Sequence, residues 1–215
     1  GKGPIADHLA VCFALGLKAF GVHACEERNV LLLDCEGARL TIRGPMSGGR
    51  RVVVTGLGVI SPVGNDVKSA WSALLAGRSG IGPITSFDAS SHSCRIVGEV
   101  KGFDIATVMS SKEARHVDTF IHYGVAASAE ALKDSGIEVD DSNRDRIGCV
   151  IGSGIGGLPM IEENHSQLVN RGARRVSPFF VPGSIINMIA GSVSIRYGLR
   201  GPNLAIVTAC TTGLH

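Results

Sequence analysis

The pattern of apolar and polar residues along the chain alternates between short apolar runs and longer segments with helical spacing. The apolar runs lack polar alternation, which predicts strands buried on both faces of a layered sheet. They are residues 52–54, 147–151 and 204–207. The segments with helical spacing are residues 67–75, 110–135, 158–169 and 184–197. Strands that alternate with helices of this length predict an α/β fold.

The longest helical segment carries capping residues at both ends. Ser110 or Ser111 is placed to cap its start, Glu113 is placed for a reciprocal capping interaction, and Gly136 follows its end. One continuous helix is therefore expected over residues 110–135. Its apolar stripe is predicted to consist of Val117, Phe120, Ile121, Val125, Ala129 and Leu132. The helix over residues 184–197 is apolar on nearly all sides, so we expect it to be almost enveloped.

Composition and charge narrow the class of protein. The chain has 215 residues, of which 44% are hydrophobic and 19% are charged, as in folded globular domains. The apolar runs are too short or too interrupted for a membrane span. A net charge of +2, without a basic run interleaved with aromatic residues, excludes an evident nucleic-acid site. The six cysteines form no C-x-x-C pair and have no histidine spacing of a zinc site, so we expect no metal and a reducing, cytoplasmic compartment.

Cys210 follows the last apolar run and is surrounded by small residues and threonines. This pattern predicts a turn from a strand into a helix. Backbone N–H groups at the first turn of a helix favour the thiolate form of a cysteine and can also bind an oxyanion. The alternative is a buried cysteine that packs as a small hydrophobic side chain. The small neighbours and the turn favour a nucleophile.

Residues 152–157 form a glycine-rich segment between a predicted strand and a predicted helix. The spacing matches G-x-G-x-x-G, which is typical of a loop that binds a dinucleotide pyrophosphate. However, no acidic residue stands about 20 residues further on, where the ribose contact belongs. Gly56 and Gly58 form a second, incomplete match. The competing interpretation is that these glycines allow a close approach of backbone and ligand.

Four segments, in order, resemble the β-ketoacyl-acyl-carrier-protein synthases, the decarboxylating condensing enzymes of fatty-acid synthesis. They are residues 51–58 (RVVVTGLG), 151–157 (IGSGIGG), 177–182 (SPFFVP) and 208–213 (TACTTG). The resemblance runs from Met46 to the last residue and is strongest to the type II members, which elongate medium to long acyl chains. It implies a thiolase-like α/β/α/β/α architecture, of which residues 46–215 supply the N-terminal half, ending just after the nucleophile. Residues 1–45 match nothing in the family and are expected to be an unassigned leader.

The resemblance also implies the chemistry of the site. Cys210 would take an acyl group from a carrier thioester and pass it to the carbanion equivalent formed by decarboxylation of malonyl-carrier protein. The backbone N–H of Cys210 would be one oxyanion donor. Ile155 would gate an acyl pocket formed with Gly154, Gly156 and Phe180. No metal or nucleotide cofactor is implied.

The resemblance implies partners as well. Lys112 and Arg115 match basic positions that dock an acidic acyl carrier protein, and the alternative is ordinary solvated charge. A basic cluster further along has weaker grounds for the same role, and a homodimer is expected. The residues of this cluster are Arg171, Arg174 and Arg175.

The family places two histidines, a lysine and the second oxyanion donor in another half. We therefore expect the 215-residue chain alone to be a poor catalyst that exposes an apolar face and aggregates. Two alternatives stay open. One is an NAD(P)-binding oxidoreductase domain, and the other is a non-catalytic remnant that binds the carrier.

Overall fold

The structure is a computed structural model that describes residues 19–25 and 51–214. Both strands and helices form within these ranges. Its strands are β1 (Ala19–Cys25), β2 (Arg51–Gly58), β3 (Gly82–Pro83), β4 (Ile96–Val97), β5 (Cys149–Val150) and β6 (Asn203–Leu204). Its α-helices are α1 (Val67–Leu75), α2 (Ser111–Ala114), α3 (Thr119–Ser135), α4 (Leu158–Arg171), α5 (Phe180–Ser184) and α6 (Met188–Tyr197). Short 3₁₀ turns lie at Ile105–Thr107, Arg144–Arg146, Ala173–Arg175 and Ala209–Leu214.

The strands pair in twos. β1 and β2 are antiparallel, with Cys25 opposite Arg51, so a strand of the expected leader hydrogen-bonds to the first strand of the expected module. β3 and β4 form a small antiparallel pair. β5 and β6 are parallel, with Cys149 opposite Asn203 and Val150 opposite Leu204. This parallel pair brings the segment before Cys210 beside the segment before the glycine loop.

Helix α3 lies at the centre of the described part of the chain. On one side it packs so closely on β2 that a Cβ atom at Gly56 or Gly58 would collide with the α3 backbone at Ala131 or Ala127. The carboxylate of Asp134 also accepts a hydrogen bond from the Leu57 N–H at 2.8 Å. The glycines of β2 are therefore explained by contact between strand and helix, which leaves no need for a phosphate ligand there.

The other side of α3 packs on α6. Gly124 allows this contact, because a Cβ atom there would collide with the side chain of Ile189. The main hydrophobic core forms where these helices meet β5. Its fully buried members are Ile121, Val125, Ile147, Cys149, Ile151, Ile189, Ala190 and Val193.

Two expectations about strands are wrong. The apolar runs at residues 52–54 and 204–207 are not buried on both faces, since Val52 and Val207 are exposed and Leu204 is 56% exposed. The second run is a strand only over Asn203–Leu204. In both places no element in the described ranges covers the outer face, and burial depends on that covering layer rather than on the run itself.

The helix expected over residues 110–135 is two helices. The capping box of Ser110 and Glu113 is present as predicted, but it caps only the four-residue α2. Asp118 caps α3, and Gly136 ends it in the left-handed conformation with φ 65°, as predicted. Ile121 and Val125 are fully buried, whereas Ala129 and Leu132 are only half-buried. Ala126, Ala127 and Ala131 are buried instead, because β2 packs on that face.

The segment at residues 180–197 also differs from expectation. The helix expected over residues 184–197 begins only at Met188; Phe180–Ser184 forms a separate short helix, and residues 185–187, of which Ile185 is extended, lie between the two. Helix α6 is not enveloped, because Ile195 is 81% exposed. In the part of the chain that the structure describes, no helix combines the length and apolar character needed to cross a bilayer.

Candidate active site

Cys210 lies on the turn predicted between a strand and a helix. The chain leaves β6, and Ala209 takes a positive φ of 50°, which is strained for a residue with a side chain. A 3₁₀ turn over Ala209–Leu214 follows, and the Cys210 thiol is exposed on it. The chain thus passes from a strand to a helical turn at Cys210, and the side chain is exposed rather than buried; its role as a nucleophile stays a prediction. Cys149 is the buried cysteine of this region.

The side chain of Thr212 closes this turn from the inside. Thr212 is only 2% exposed. Its hydroxyl Oγ1 donates a hydrogen bond to the Ala209 carbonyl at 2.7 Å and accepts one from the Thr208 N–H at 2.9 Å. These two bonds tie the backbone directly before Cys210 to Thr212, two residues after it.

The glycine loop, residues 152–157, lies against the nucleophile turn. A Cβ atom at Gly152 would collide with the Thr212 methyl group and the Ile206 carbonyl. A Cβ atom at Gly154 would lie 3.8 Å from the Ala209 carbonyl oxygen. The structure therefore brings together the two motifs that the sequence singled out. At Gly152 the missing side chain allows contact between two loops.

The start of α4, which follows the glycine loop, already has an anionic partner. The Asp118 carboxylate is 6% exposed. Its Oδ2 accepts a hydrogen bond from the Met160 N–H at 2.7 Å, while Oδ1 accepts one from the Thr119 N–H at 2.6 Å. A pyrophosphate bound at this helix N-terminus would meet the carboxylate at close range, and like charges repel. This geometry argues against the dinucleotide interpretation.

The residues predicted for an acyl pocket lie on both sides of the loop. Ile155 is 71% exposed at the loop tip, between Gly154 and Gly156. Phe180 is half-buried at the start of α5, and the end of α5 holds the loop, since the Ser184 carbonyl accepts a hydrogen bond from the Gly157 N–H at 2.9 Å. The structure thus places these residues on adjoining segments.

A cavity of about 600 Å³ lies elsewhere in the described part of the chain. None of the residues that line it belongs to the predicted acyl pocket. They are Pro62, Thr85, Ser86, Gly98, Glu99, Val100 and Tyr123. Within residues 19–25 and 51–214, no three His, Cys, Asp or Glu side chains are grouped closely enough to hold a metal ion.

The predicted docking cations lie on or beside α2. Lys112 and Arg115 are exposed, and the Arg115 Nε–H donates to the Ser111 carbonyl at 3.1 Å. Glu113 lies between them, but its carboxylate accepts a bond from the Ser110 hydroxyl and pairs with Arg196 at 3.4 Å. These contacts hold the pKa of Glu113 below its usual value, and the hydrogen bond from the Ser110 hydroxyl contributes most to this shift. Three cations, Lys112, Arg115 and Arg196, surround this one carboxylate, so the local surface is basic on balance.

The second basic cluster comprises Arg171 at the end of α4 with Arg174 and Arg175 in the following 3₁₀ turn, and all three are exposed.

A stacked pair of aromatic rings links the segment after α2 to the loop before α5. The His116 and Phe179 rings are 3.7 Å apart with an angle of 12° between their planes. His116, two residues after the end of α2, is therefore in direct contact with the residue before Phe180.

Comparison with known proteins decides the family. The family described as "Beta-ketoacyl synthase, N-terminal domain" matches residues 49–215. The chain belongs to the β-ketoacyl synthase family. The resemblance drawn from the four motifs is thereby confirmed.

Curated relatives of this chain carry the name 3-oxoacyl-[acyl-carrier-protein] synthase 2. The protein from Vibrio cholerae is 62% identical over 166 residues, which are 77% of this chain and 40% of the relative. The protein from Coxiella burnetii is 55% identical over the same shares. That from Staphylococcus aureus strain N315 is 50% identical over 170 residues, which are 79% of this chain and 41% of the relative. The chain thus spans about 40% of the length of the curated relatives it matches.

Solved ketosynthases confirm the α/β fold class and the thiolase-like architecture. The ishigamide ketosynthase/chain length factor superposes with a TM-score of 0.58 at 25% identity, over 72% of this chain and 38% of that one. A type II PKS acyl-carrier protein in complex with its ketosynthase gives a TM-score of 0.56 at 27% identity, over 72% of this chain and 39% of that one.

The structure adds two residues that the sequence did not single out. Asp118 had a signal, because an Asp directly before an apolar periodic segment is a typical helix cap. Its second bond, to α4, depends on tertiary packing. Thr212 belongs to the quoted motif, but nothing local distinguishes it from the exposed Thr211.

Proposed function

We propose that this chain supplies the nucleophile-bearing part of a 3-oxoacyl-[acyl-carrier-protein] synthase of fatty-acid biosynthesis. The observation that carries the proposal is the exposed Cys210 thiol on a strained turn that Thr212 and the glycine loop hold in place. An exposed thiol at the start of a helical turn is suited to nucleophilic attack, and the adjacent backbone N–H groups are suited to an oxyanion.

The reaction proceeds through a covalent acyl-enzyme. The Cys210 thiol gives up its proton and attacks the carbonyl of an acyl-carrier thioester; the bond from that carbonyl to the carrier sulfur breaks, and the leaving carrier thiolate takes up the proton. Malonyl-carrier protein then loses CO₂, and its carbanion equivalent attacks the acyl group on sulfur. The new carbon–carbon bond expels the Cys210 thiolate. The Cys210 N–H acts as one oxyanion donor, and by resemblance the second donor, two histidines and a lysine belong to the other half.

The acyl chain is bound beside the glycine loop. Ile155 presents an apolar side chain at the loop tip, and Gly154 and Gly156 keep the backbone around it free of side chains. Phe180 supplies an aromatic wall from α5. Support comes from the hydrogen bond and close packing between α5 and the loop. The exposure of Ile155 is consistent with a side chain that becomes covered by an apolar ligand or by another part of the protein.

Lys112 and Arg115 dock an acyl carrier protein, and the arginines at positions 171, 174 and 175 extend the same basic character. The solved type II PKS ketosynthase is in complex with its own carrier protein, which supports the partner class. Electrostatic attraction of this kind raises association rates and weakens with salt. We further propose a cytoplasmic homodimer, in keeping with the exposed apolar residues and with the exposed free cysteines at positions 94 and 210.

Transfer of an acyl group tests the function. Incubation with an acyl-carrier thioester should add one acyl group to the chain, and Cys210→Ala should abolish the addition. With malonyl-carrier protein present, condensation should be slow in this chain alone, because the decarboxylating residues belong to the other half. Ketosynthase turnover at the rate of a full-length enzyme would contradict that expectation.

Two further measurements separate the alternatives. Carrier binding without any acylation would favour a non-catalytic remnant. Saturable binding of a nicotinamide nucleotide would favour an oxidoreductase domain, and a titration without any binding signal would exclude that alternative. The occupied N-terminus of α4 leads us to expect the flat titration.

A further inference from the structure

Asp118 is a buried carboxylate at the point where α3, α4 and α5 meet. We propose that Asp118 is a positioning residue that holds the glycine loop in place beside Cys210 and so sets how well an apolar chain is accepted there. The inference rests on the proposed function for the identity of that chain. The positioning itself is a property of the described residues.

The two carboxylate oxygens of Asp118 accept hydrogen bonds from two different helices. Oδ1 accepts a hydrogen bond from the Thr119 N–H, the first N–H of α3, at 2.6 Å. Oδ2 accepts one from the Met160 N–H at 2.7 Å, in the first turn of α4. The Asp118 N–H donates to the Gly183 carbonyl of α5 at 3.0 Å. One buried residue therefore ties together the starts of two helices and the end of a third.

These bonds fix the C-terminal end of the glycine loop. Gly157, the last residue of the loop, fits between Asp118 and Ser184, since a Cβ atom there would lie 2.9 Å from the Asp118 Cβ and 2.9 Å from the Ser184 Cα. Its N–H donates to the Ser184 carbonyl at 2.9 Å. No side chain other than hydrogen fits this gap without a shift of backbone or of Asp118.

The N-terminal end of the loop is fixed separately, where Gly152 packs on Thr212. Ile155 stands between the two fixed ends and is itself exposed. The position of Ile155 relative to Cys210 is therefore set by the two ends of the loop rather than by packing of its own side chain. Loss of the Asp118 bond to Met160 frees one of these ends.

Asp118→Asn is the informative variant, because the shape is kept while one terminal oxygen becomes an NH₂ group that cannot accept a hydrogen bond. Only one of Thr119 and Met160 then keeps its partner. Asp118→Ser is a second variant, since serine caps helices well but has a single oxygen and cannot bridge to Met160. The matched control is Asp66→Asn, which makes the same chemical change at the cap of α1, where Oδ1 accepts from the Ser69 N–H at 2.7 Å.

Two readouts report on the loop itself. The first is amide hydrogen exchange of peptides that cover residues 153–161. The second is the rate of Cys210 alkylation by N-dodecyl iodoacetamide divided by the rate with iodoacetamide. This ratio reports how an apolar chain is accepted beside the thiol, and it cancels changes in the thiol's own reactivity. Neither readout needs a carrier protein or turnover.

In Asp118→Asn and Asp118→Ser, exchange over residues 153–161 should be about tenfold faster, as expected for loss of a helix-start hydrogen bond. The alkylation ratio should change by about threefold or more, the scale of a modest repositioning in an apolar site. Asp66→Asn should leave both readouts as in the wild type, even where its melting temperature falls equally. Unchanged exchange and an unchanged ratio in the Asp118 variants, or equal changes in Asp66→Asn, would overturn the positioning role.

The proposed function fails in a different way. If the wild-type chain takes no acyl group from a carrier thioester, the condensing role is refuted, while the exchange rates and the alkylation ratio still decide whether Asp118 positions the loop.

Discussion

Replacing Thr212 with valine removes the hydroxyl that holds the nucleophile turn and little else. The Thr212 side chain is 2% exposed, and its methyl group packs on Gly152. Valine has the same shape and keeps that methyl group. The two hydrogen bonds of Oγ1, at 2.7 Å to the Ala209 carbonyl and at 2.9 Å from the Thr208 N–H, are lost together.

The expected magnitude follows from these contacts. A hydrogen bond contributes a net amount of about 0.5–1.5 kcal/mol, so the loss of two should lower the free energy of unfolding by about 1–3 kcal/mol. The backbone of Ala209, at φ 50°, is strained. Such strain amounts to roughly 1–3 kcal/mol and persists only while surrounding structure holds it. Without the Thr212 hydroxyl, the turn should therefore relax and move the Cys210 thiol.

Urea unfolding at low protein concentration measures the first effect, and the rate of Cys210 alkylation by iodoacetamide measures the second. Thr212→Ser keeps the hydroxyl and should retain the alkylation rate of the wild type. Thr211→Val is the matched control. It removes a hydroxyl one residue away that makes a single exposed bond, to the Thr208 carbonyl at 2.8 Å, so its effect on stability should stay within about 0.5 kcal/mol.

A comparison of Thr212→Val with Thr211→Val tests whether the Thr212 hydroxyl holds the nucleophile turn. If Thr212→Val were as stable as Thr211→Val and alkylated at the wild-type rate, the hydroxyl of Thr212 would not hold the turn.

Three further predictions concern other parts of the molecule. Gly58→Ala should destabilise the chain by about 3 kcal/mol or more in urea unfolding, because its Cβ would collide with backbone atoms of α3 that cannot move aside; a loss under about 1 kcal/mol would contradict the close packing. Hydrogen bonds to the Glu99 carboxylate, above all the one from the Thr85 hydroxyl, lower the pKa of Glu99 from 4.5 to about 2. Since the pKa is lower in the folded state, this stabilisation is present above pH 4.5 and is lost as the pH falls towards 2. The difference in melting temperature between wild type and Glu99→Gln should shrink through that window, and a constant difference would refute the assignment. Lys112→Glu with Arg115→Glu should weaken carrier binding by about tenfold or more at low salt and by less at high salt, whereas equal affinity at low salt would exclude this surface.

Local patterns predicted the parts of the fold that depend on local interactions. Helix α4 lies where helical spacing predicted it, and Gly136 ends α3 in the conformation that glycine favours. The turn at Cys210 was predicted because a strand-forming run gives way to small residues. In each case the residues that determine the structure are neighbours in sequence.

Features that depend on distant residues could not be predicted in this way. The break between α2 and α3 arises because Ser110 and Asp118 both cap helices, and only the packing of Asp118 on α4 and α5 makes the second cap decisive. The exposure of Leu204 depends on which layer covers β6, and an apolar run carries no information about that layer. The glycines of β2 match part of a phosphate-loop pattern, but their contact with the α3 backbone, about 70 residues away in sequence, explains them instead.

Cys210 is the proposed acyl acceptor, and a second cysteine provides a control within the same chain. Cys94 is also an exposed free cysteine in the described part of the chain. After a short incubation with an acyl-carrier thioester, peptide mapping by mass spectrometry should find the acyl group on Cys210 and not on Cys94. Cys210→Ala should carry no acyl group, while Cys94→Ser should be acylated like the wild type. Equal labelling of the two cysteines, or acylation that survives in Cys210→Ala, would contradict the account.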